Sequence, residues 1–287
     1  MSLNISTIAF YLWDPPKEVF PWDVPILGRP ILWYGVLFAL GFFLGYLVLC
    51  SLLKKLINSR KVANQIAEQF LLFIGLGAIL GARLGDVFFY QDTQHWLAHP
   101  QEIFYIWEGG LASHGGAAGI AVAIMLLARH LRKKFKIPFT FLTVLDFTVI
   151  PAALTSGCIR IGNLINQEIL GKATDLPWGV IFLHPADGGP IIPRHPVQLY
   201  ESLTYFVIFF VLLWLFKTKT YFQTEGKISG LFFILIFGFR FFLEFFKEEQ
   251  SVLIGPHFPL TMGQLLSVPF FLWGIYLLWR RKSNTGV

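Results

Sequence analysis

Hydrophobic positions along this chain neither alternate nor recur every third or fourth residue; they run on without a polar face. Seven such stretches, at 31 to 53, 68 to 89, 111 to 129, 139 to 159, 197 to 216, 228 to 246 and 263 to 280, have about the 18 to 23 residues that a helix needs to cross a hydrocarbon core. Charged residues are confined almost wholly to the connections. The pattern predicts an all-α polytopic membrane protein with seven transmembrane helices, forming one domain over residues 1–287. Composition agrees, since 55% of the 287 residues are hydrophobic and only 14% are charged, where a soluble domain has about a quarter charged.

The basic residues give the orientation. Lys54, Lys55, Arg60 and Lys61 follow the first span, Arg129, Arg132, Lys133, Lys134 and Lys136 the third, Lys217, Lys219 and Lys227 the fifth, and Arg280, Arg281 and Lys282 the last. The other connections hold only Lys17, Arg29, Arg160, Lys172, Arg194 and Lys247, while Arg83 and Arg240 fall inside spans. Cations collect on the cytoplasmic side, so the N-terminus is expected outside and the C-terminus in the cytoplasm. The net charge of +6 therefore reports topology, and no nucleic-acid partner is expected.

Two outward connections are long, 90 to 110 and 160 to 196. The second is rich in Pro and Gly (Pro177, Pro185, Gly188, Gly189, Pro190, Pro193, Pro196), so a small extracytoplasmic cap is expected from the two loops, with 160 to 196 as its main insertion and not an eighth span. Glycines recur every fourth residue at Gly77, Gly81 and Gly85, with Gly41 and Gly45 in the first span and Gly115 and Gly119 in the third, a spacing that lets helices approach closely. The first thirty residues lack the charged-then-apolar order of a cleaved signal peptide. Cys50 and Cys158 read as buried packing residues, and no Cys/His cluster has metal-site spacing, so neither metal nor cofactor is expected.

On that topology the intramembrane polar residues converge on the outer leaflet. Tyr34 opens span one; Arg83 and Asp86 lie near the outer end of span two; His114 is a few residues into span three. Arg160 and Asn163 mark the exit of span four, with Asn166 and Glu168 spaced like further rungs on the same helix. Gln198, Tyr200 and Glu201 open span five, and Arg240 and Glu244 lie in the outer half of span six. Asp146 alone sits deeper. Arg83 and Asp86, three apart, read as a pair satisfying each other, and Arg240 with Glu244 has the spacing to do the same. As a set, cations, a histidine, a tyrosine and carboxylates in one leaflet describe a cavity for an anionic lipid headgroup.

Residue types then narrow the chemistry. Arginine offers a permanently charged fork that matches phosphate, so Arg160 and Arg240 are candidates to hold a phosphate and stabilise it as a leaving group. Histidine titrates near neutrality, which makes His114 the candidate base. An intramembrane protease would need a nucleophile, and neither Ser113 nor Ser156 has a Gly-x-Ser-x-Gly setting. A seven-helix transporter or receptor would need a polar path through both leaflets. Lipid-headgroup transfer fits best.

Six separated motifs carry a resemblance. They are Trp33-Tyr34-Gly35, His114-Gly115-Gly116, the segment Arg160 to Gly171, Pro193-Arg-His-Pro-Val-Gln-Leu-Tyr-Glu201, Arg240 with Glu244-Phe-Phe246, and Met262-Gly-Gln264. In order and in residue type the chain resembles the prolipoprotein diacylglyceryl transferases of bacterial inner membranes. Within the third motif Ile159 and Leu164 replace a usual glycine and phenylalanine, while Arg160, Asn163, Asn166, Glu168 and Gly171 match. Ile236 stands where the family often has a tyrosine.

The resemblance implies an enzyme of the cytoplasmic membrane with its active site facing outward, working as a monomer. It would transfer the sn-1,2-diacylglyceryl group of phosphatidylglycerol to the lipobox cysteine of preprolipoproteins, giving a thioether and glycerol phosphate. It implies catalytic roles for His114, Arg160 and Arg240. Headgroup binding would fall to Tyr34, Arg160, Asn163, Asn166, Glu168, Gly171, Arg240 and Glu244, with Gly115, Gly116, His195, Gln198, Tyr200 and Glu201 as further candidates.

Overall fold

The computed structural model describes residues 10–25, 28–89, 99–105, 110, 112–218, 224–248 and 260–280. Seven helices are long and apolar enough to cross a membrane. They are α1 (Trp33–Leu56), α2 (Arg60–Phe89), α3 (Ser113–Phe135), α4 (Phe141–Ile165), α5 (Val197–Lys217), α6 (Lys227–Leu243, continued by a 3-10 turn Glu244–Phe246) and α7 (Met262–Trp279). All seven expected spans are present. The chain divides into two compact units, 1–45 with 149–287, and 46–148.

In the unit 46–148, α2 and α3 are held together by glycine. A methyl group added at Gly81 would fall 2.4 Å from Gly115 O, and one at Gly119 would fall 2.0 Å from Gly77 O. Backbones this close leave no room for Cβ atoms, which is the packing expected of the four-residue glycine spacing. Arg83 and Asp86 form the expected ion pair at 3.9 Å, and Arg83 also donates to the carbonyls of Ile103 at 2.9 Å and Gly110 at 3.2 Å. This arginine therefore secures what is described of the 90–110 connection, a 3-10 turn over Pro100–Phe104. Most of that connection lies outside the described residues.

In the other unit, Gly41 and Gly45 admit α4 against α1, and the Thr155 hydroxyl donates to Gly41 O at 2.9 Å. Helices α6 and α7 meet at Gly230 and Gly274 and through stacked rings, with Phe237 and Phe270 4.6 Å apart. Helix α7 starts on a capping box in which Thr261 and Gln264 satisfy each other's backbone N–H groups.

The region 160 to 196 departs from the expected boundaries. Helix α4 does not stop at 159 but continues to Ile165, so Arg160 and Asn163 stand on its last turns. It ends there because Gln167 (φ 57°) and Ile169 (φ 56°) turn left-handed, so Asn166 and Glu168 are not further rungs of the helix. A β-branched residue with positive φ is strained, by about 1–3 kcal/mol. Two strands of the cap join one from the N-terminal segment in a three-stranded sheet, in the order β1 (Tyr11–Trp13), β2 (Val180–Phe182), β3 (Pro193–Arg194). Strands β1 and β2 run parallel, with Leu12 opposite Ile181. Leu164, Leu170, Val180 and Phe182 form a small core closed by Trp13, whose indole N–H donates to Leu164 O at 2.9 Å.

Candidate functional site

The last turns of α4, the reversal after it and the start of α5 bring Arg160, Asn163, Asn166, Glu168, Gln198 and Glu201 into one polar network. Arg160 is its centre. Its Nε lies 2.6 Å from Glu201 Oε2, and its Nη1 donates to Asn163 Oδ1 at 2.9 Å. Asn163 passes the chain on, donating from Nδ2 to Glu168 Oε2 at 2.9 Å, while Asn166 Nδ2 donates to Glu168 Oε1 at 3.0 Å. Both carboxylate oxygens of Glu168 are thus taken by amides.

The left-handed residues on either side of Glu168 make this reach possible. They bend the chain back so that Glu168 N donates to Asn163 O at 2.9 Å. The fully buried Gln198 locks the bend from α5 by donating to Glu168 O at 2.6 Å. The fully buried Gln167 accepts from His184 N at 2.7 Å, which ties the bend to the cap. Tyr34 comes from α1, its ring lying over Gly162, where an added methyl would fall 2.8 Å from Cδ2. Its hydroxyl feels the charges of both Glu168 and Arg160.

Gly171 holds the next layer. A methyl there would fall 2.3 Å from His195 O, 2.7 Å from His195 Cβ and 3.0 Å from Phe246 O. Backbone pairing explains the crowding: Lys172 N donates to Phe246 O at 2.8 Å, His195 N to Lys172 O at 3.0 Å and Glu248 N to Leu170 O at 3.1 Å. Three segments therefore converge on one glycine. Glu244 needs a second one, because a methyl at Gly263 would fall 2.3 Å from its Oε1.

Arg240 and Glu244 have the spacing to pair, but no ion pair joins them. Among the described residues the half-buried Arg240 has no ion-pair partner; it faces the buried Tyr205, which also lies within hydrogen-bonding reach of Arg160. Phosphate-binding candidates thus differ in state, Arg160 being paired and Arg240 uncompensated.

His195 packs edge-on against Phe246 at 5.1 Å, and its Nδ1 lies 3.3 Å from the Tyr200 hydroxyl, which accepts from Trp178 Nε1 at 2.9 Å. Burial lowers the His195 pKa below the usual histidine value, favouring neutral imidazole. His114 is on the first turn of α3, exposed, in the unit 46–148. Its neighbour Gly115 packs against Gly81 and Gly85, a reason for glycine that needs no ligand, and Gly116 is buried beside Ala82.

Sequence reasoning missed Tyr205, Gln167 and two buried cations. Lys247 is 5% exposed and lies 3.3 Å from Glu201 Oε1. Arg194, 3% exposed, pairs with Asp187 at 3.2 Å and Glu248 at 3.8 Å and braces the cap. Among the described residues no His, Cys, Asp and Glu cluster has the arrangement to hold a metal ion.

The sequence that carries this network matches a known family along most of its length. The family model for prolipoprotein diacylglyceryl transferase matches residues 23–280. The chain belongs to the prolipoprotein diacylglyceryl transferase family. Its relatives include proteins named phosphatidylglycerol–prolipoprotein diacylglyceryl transferase from Protochlamydia amoebophila (35% identical, 96% of each chain covered), Tolumonas auensis (44%, with 86% of this chain and 89% of the relative) and Porphyromonas gingivalis (39%, 96% of each). As a member of this family the chain is a transferase with seven membrane-spanning helices.

Proposed function

We propose that this protein transfers the sn-1,2-diacylglyceryl group of phosphatidylglycerol to the lipobox cysteine thiol of preprolipoproteins, the first step of bacterial lipoprotein maturation. The observation that carries the reading is the Arg160–Asn163–Glu168 chain together with Arg240, which has no ion-pair partner among the described residues. In the reaction the cysteine sulfur attacks the glycerol carbon that bears the phosphate. A C–S bond forms, the C–O bond to phosphate breaks, and glycerol phosphate leaves with the thiol proton. No acyl-enzyme is needed because the attacked carbon is an alkyl carbon.

Arg160 and Arg240 bind the phosphate and stabilise the charge that develops on the leaving oxygen. Asn163, Asn166 and Glu168 hold Arg160 in place, with Tyr34 and Glu244 shaping the headgroup site, and Gly171 lets the cap close beside it. His114 takes the thiol proton. Gly115, Gly116, His195, Gln198, Tyr200 and Glu201 support these groups. The protein acts as a monomeric single catalytic domain in the cytoplasmic membrane, the site facing the outer leaflet where a lipobox emerges; the alternation of basic connections supports this orientation.

The test is a purified-protein assay in detergent with phosphatidylglycerol and a synthetic lipobox peptide. A diacylglyceryl mass gain on the peptide with equimolar glycerol phosphate supports the reading, and peptide cleavage instead would replace it with a protease.

A further inference from the structure

Glu201 is 1% exposed and sits between two cations. Oε2 meets Arg160 Nε at 2.6 Å and Oε1 meets Lys247 Nζ at 3.3 Å. Lys247 is itself buried, and its backbone is fixed by the pairing of its segment with Gly171. A lone buried carboxylate is costly, and removing one partner of a buried pair leaves that cost uncovered. One cation would suffice to neutralise Glu201, yet two are present, from elements far apart in sequence.

We infer that Lys247 is a positioning residue that lets Arg160 exchange Glu201 for the arriving lipid phosphate. This rests on the phosphate role of Arg160 stated above. When an anionic headgroup draws the guanidinium away, Glu201 keeps the ammonium of Lys247 and is not stranded. Arg160 therefore moves from one anion to another with Glu201 compensated throughout, while Asn163 Oδ1 continues to hold Nη1. Without Lys247, Glu201 would hold Arg160 as its sole counter-ion and compete with the phosphate.

Substituting the two members of the Lys247–Glu201 pair then has opposite effects. Lys247→Met raises KM for phosphatidylglycerol at least about tenfold, on the scale of a broken buried ion pair, and Lys247→Arg keeps it near wild type. Glu201→Gln removes the competitor, so the double variant Glu201→Gln with Lys247→Met returns KM to within about threefold of Glu201→Gln alone, a coupling read as a double-mutant cycle. The assay is steady-state transfer by the full-length protein in mixed micelles, with phosphatidylglycerol varied at saturating peptide.

A purely structural lysine would lower the active fraction and heat stability at constant KM, and no second substitution would rescue it. An unchanged KM in Lys247→Met, or a double variant as impaired as Lys247→Met, overturns the exchange. If Lys247→Met does not fold, Lys247→Gln replaces it under the same criteria. The two levels separate cleanly: no transfer by wild type, or full transfer by Arg160→Ala, removes the underlying function, whereas normal transfer with Arg160 required and KM indifferent to Lys247 removes the exchange alone.

Discussion

Replacing Gly171 with alanine adds one methyl group at the point where three backbones meet. That carbon would lie 2.3 Å from His195 O and 3.0 Å from Phe246 O, against an ordinary carbon–oxygen contact of about 3.3 Å or more. Carbonyl oxygens cannot swing aside as a side-chain tip does. Relief requires the segments to part, and two hydrogen bonds lie in the way, Lys172 N to Phe246 O and His195 N to Lys172 O. Overpacking costs about 1–3 kcal/mol and each hydrogen bond lost or stretched about 0.5–1.5 kcal/mol. The sum is about 2–6 kcal/mol, borne by the cap and not by the membrane-spanning helices. Because Phe246 adjoins Lys247 and His195 lies just before α5, movement here shifts the groups behind Arg160, and activity should fall about a hundredfold or more. Transfer rate and thermal unfolding in detergent are the measurements. Gly75 is the control, since a methyl there meets nothing within 4 Å: Gly75→Ala should be neutral or slightly stabilising. A Gly171→Ala protein as active and as stable as Gly75→Ala would refute the reasoning.

Further outcomes follow from other contacts. Asn163→Asp places a carboxylate against Glu168 and removes the donor that Glu168 accepts, so transfer should fall by about 2–4 kcal/mol in kcat/KM, whereas a near-normal value would show that the chain does not hold Arg160. Gly119→Ala drives a methyl into Gly77 O and should destabilise the protein by about 1–3 kcal/mol in a thermal or denaturant assay. For His195 the sign is set by burial, which lowers its pKa: the unfolded chain binds the proton more readily, so stability falls as pH drops through and below the ordinary histidine value of ~6.5. His195→Gln should flatten that acid-side slope in unfolding scans from pH 5 to 7, and an unchanged slope would exclude the residue. His114→Gln should slow transfer and alter its pH–rate profile; an unaltered profile would assign the base elsewhere.

Much of the architecture is legible because a bilayer imposes it. Helix length and glycine spacing are one-dimensional signals: the first finds all seven helices, and the second marks glycines at which helices approach closely without saying that α2 pairs with α3. The site is partly legible for the same reason, since an arginine or amide near the end of an apolar run has few structural excuses. What the sequence hides is long-range. Lys247 reads as one more loop cation until Glu201, 46 residues away, is placed beside it. Tyr205 looks like one aromatic among many on an apolar helix. The stop after Ile165 carries no glycine or proline, only Gln167 and Ile169 held left-handed by contacts that a local reading cannot see, and that stop puts Glu168 within reach of two asparagines. The β1–β2 pairing joins Tyr11–Trp13, before the first membrane helix, to Val180–Phe182, after the fourth, and leaves no local mark in three-residue strands.

The most direct single test is transfer by the wild type, Arg160→Ala and Arg240→Ala on phosphatidylglycerol and a lipobox peptide, reading peptide mass and released glycerol phosphate together. Wild type should give both products in equal amounts, with each arginine variant reduced by about a thousandfold, the scale of losing a charged group from a transition-state clamp. Transfer by either variant at near wild-type rate would contradict the two-arginine phosphate site.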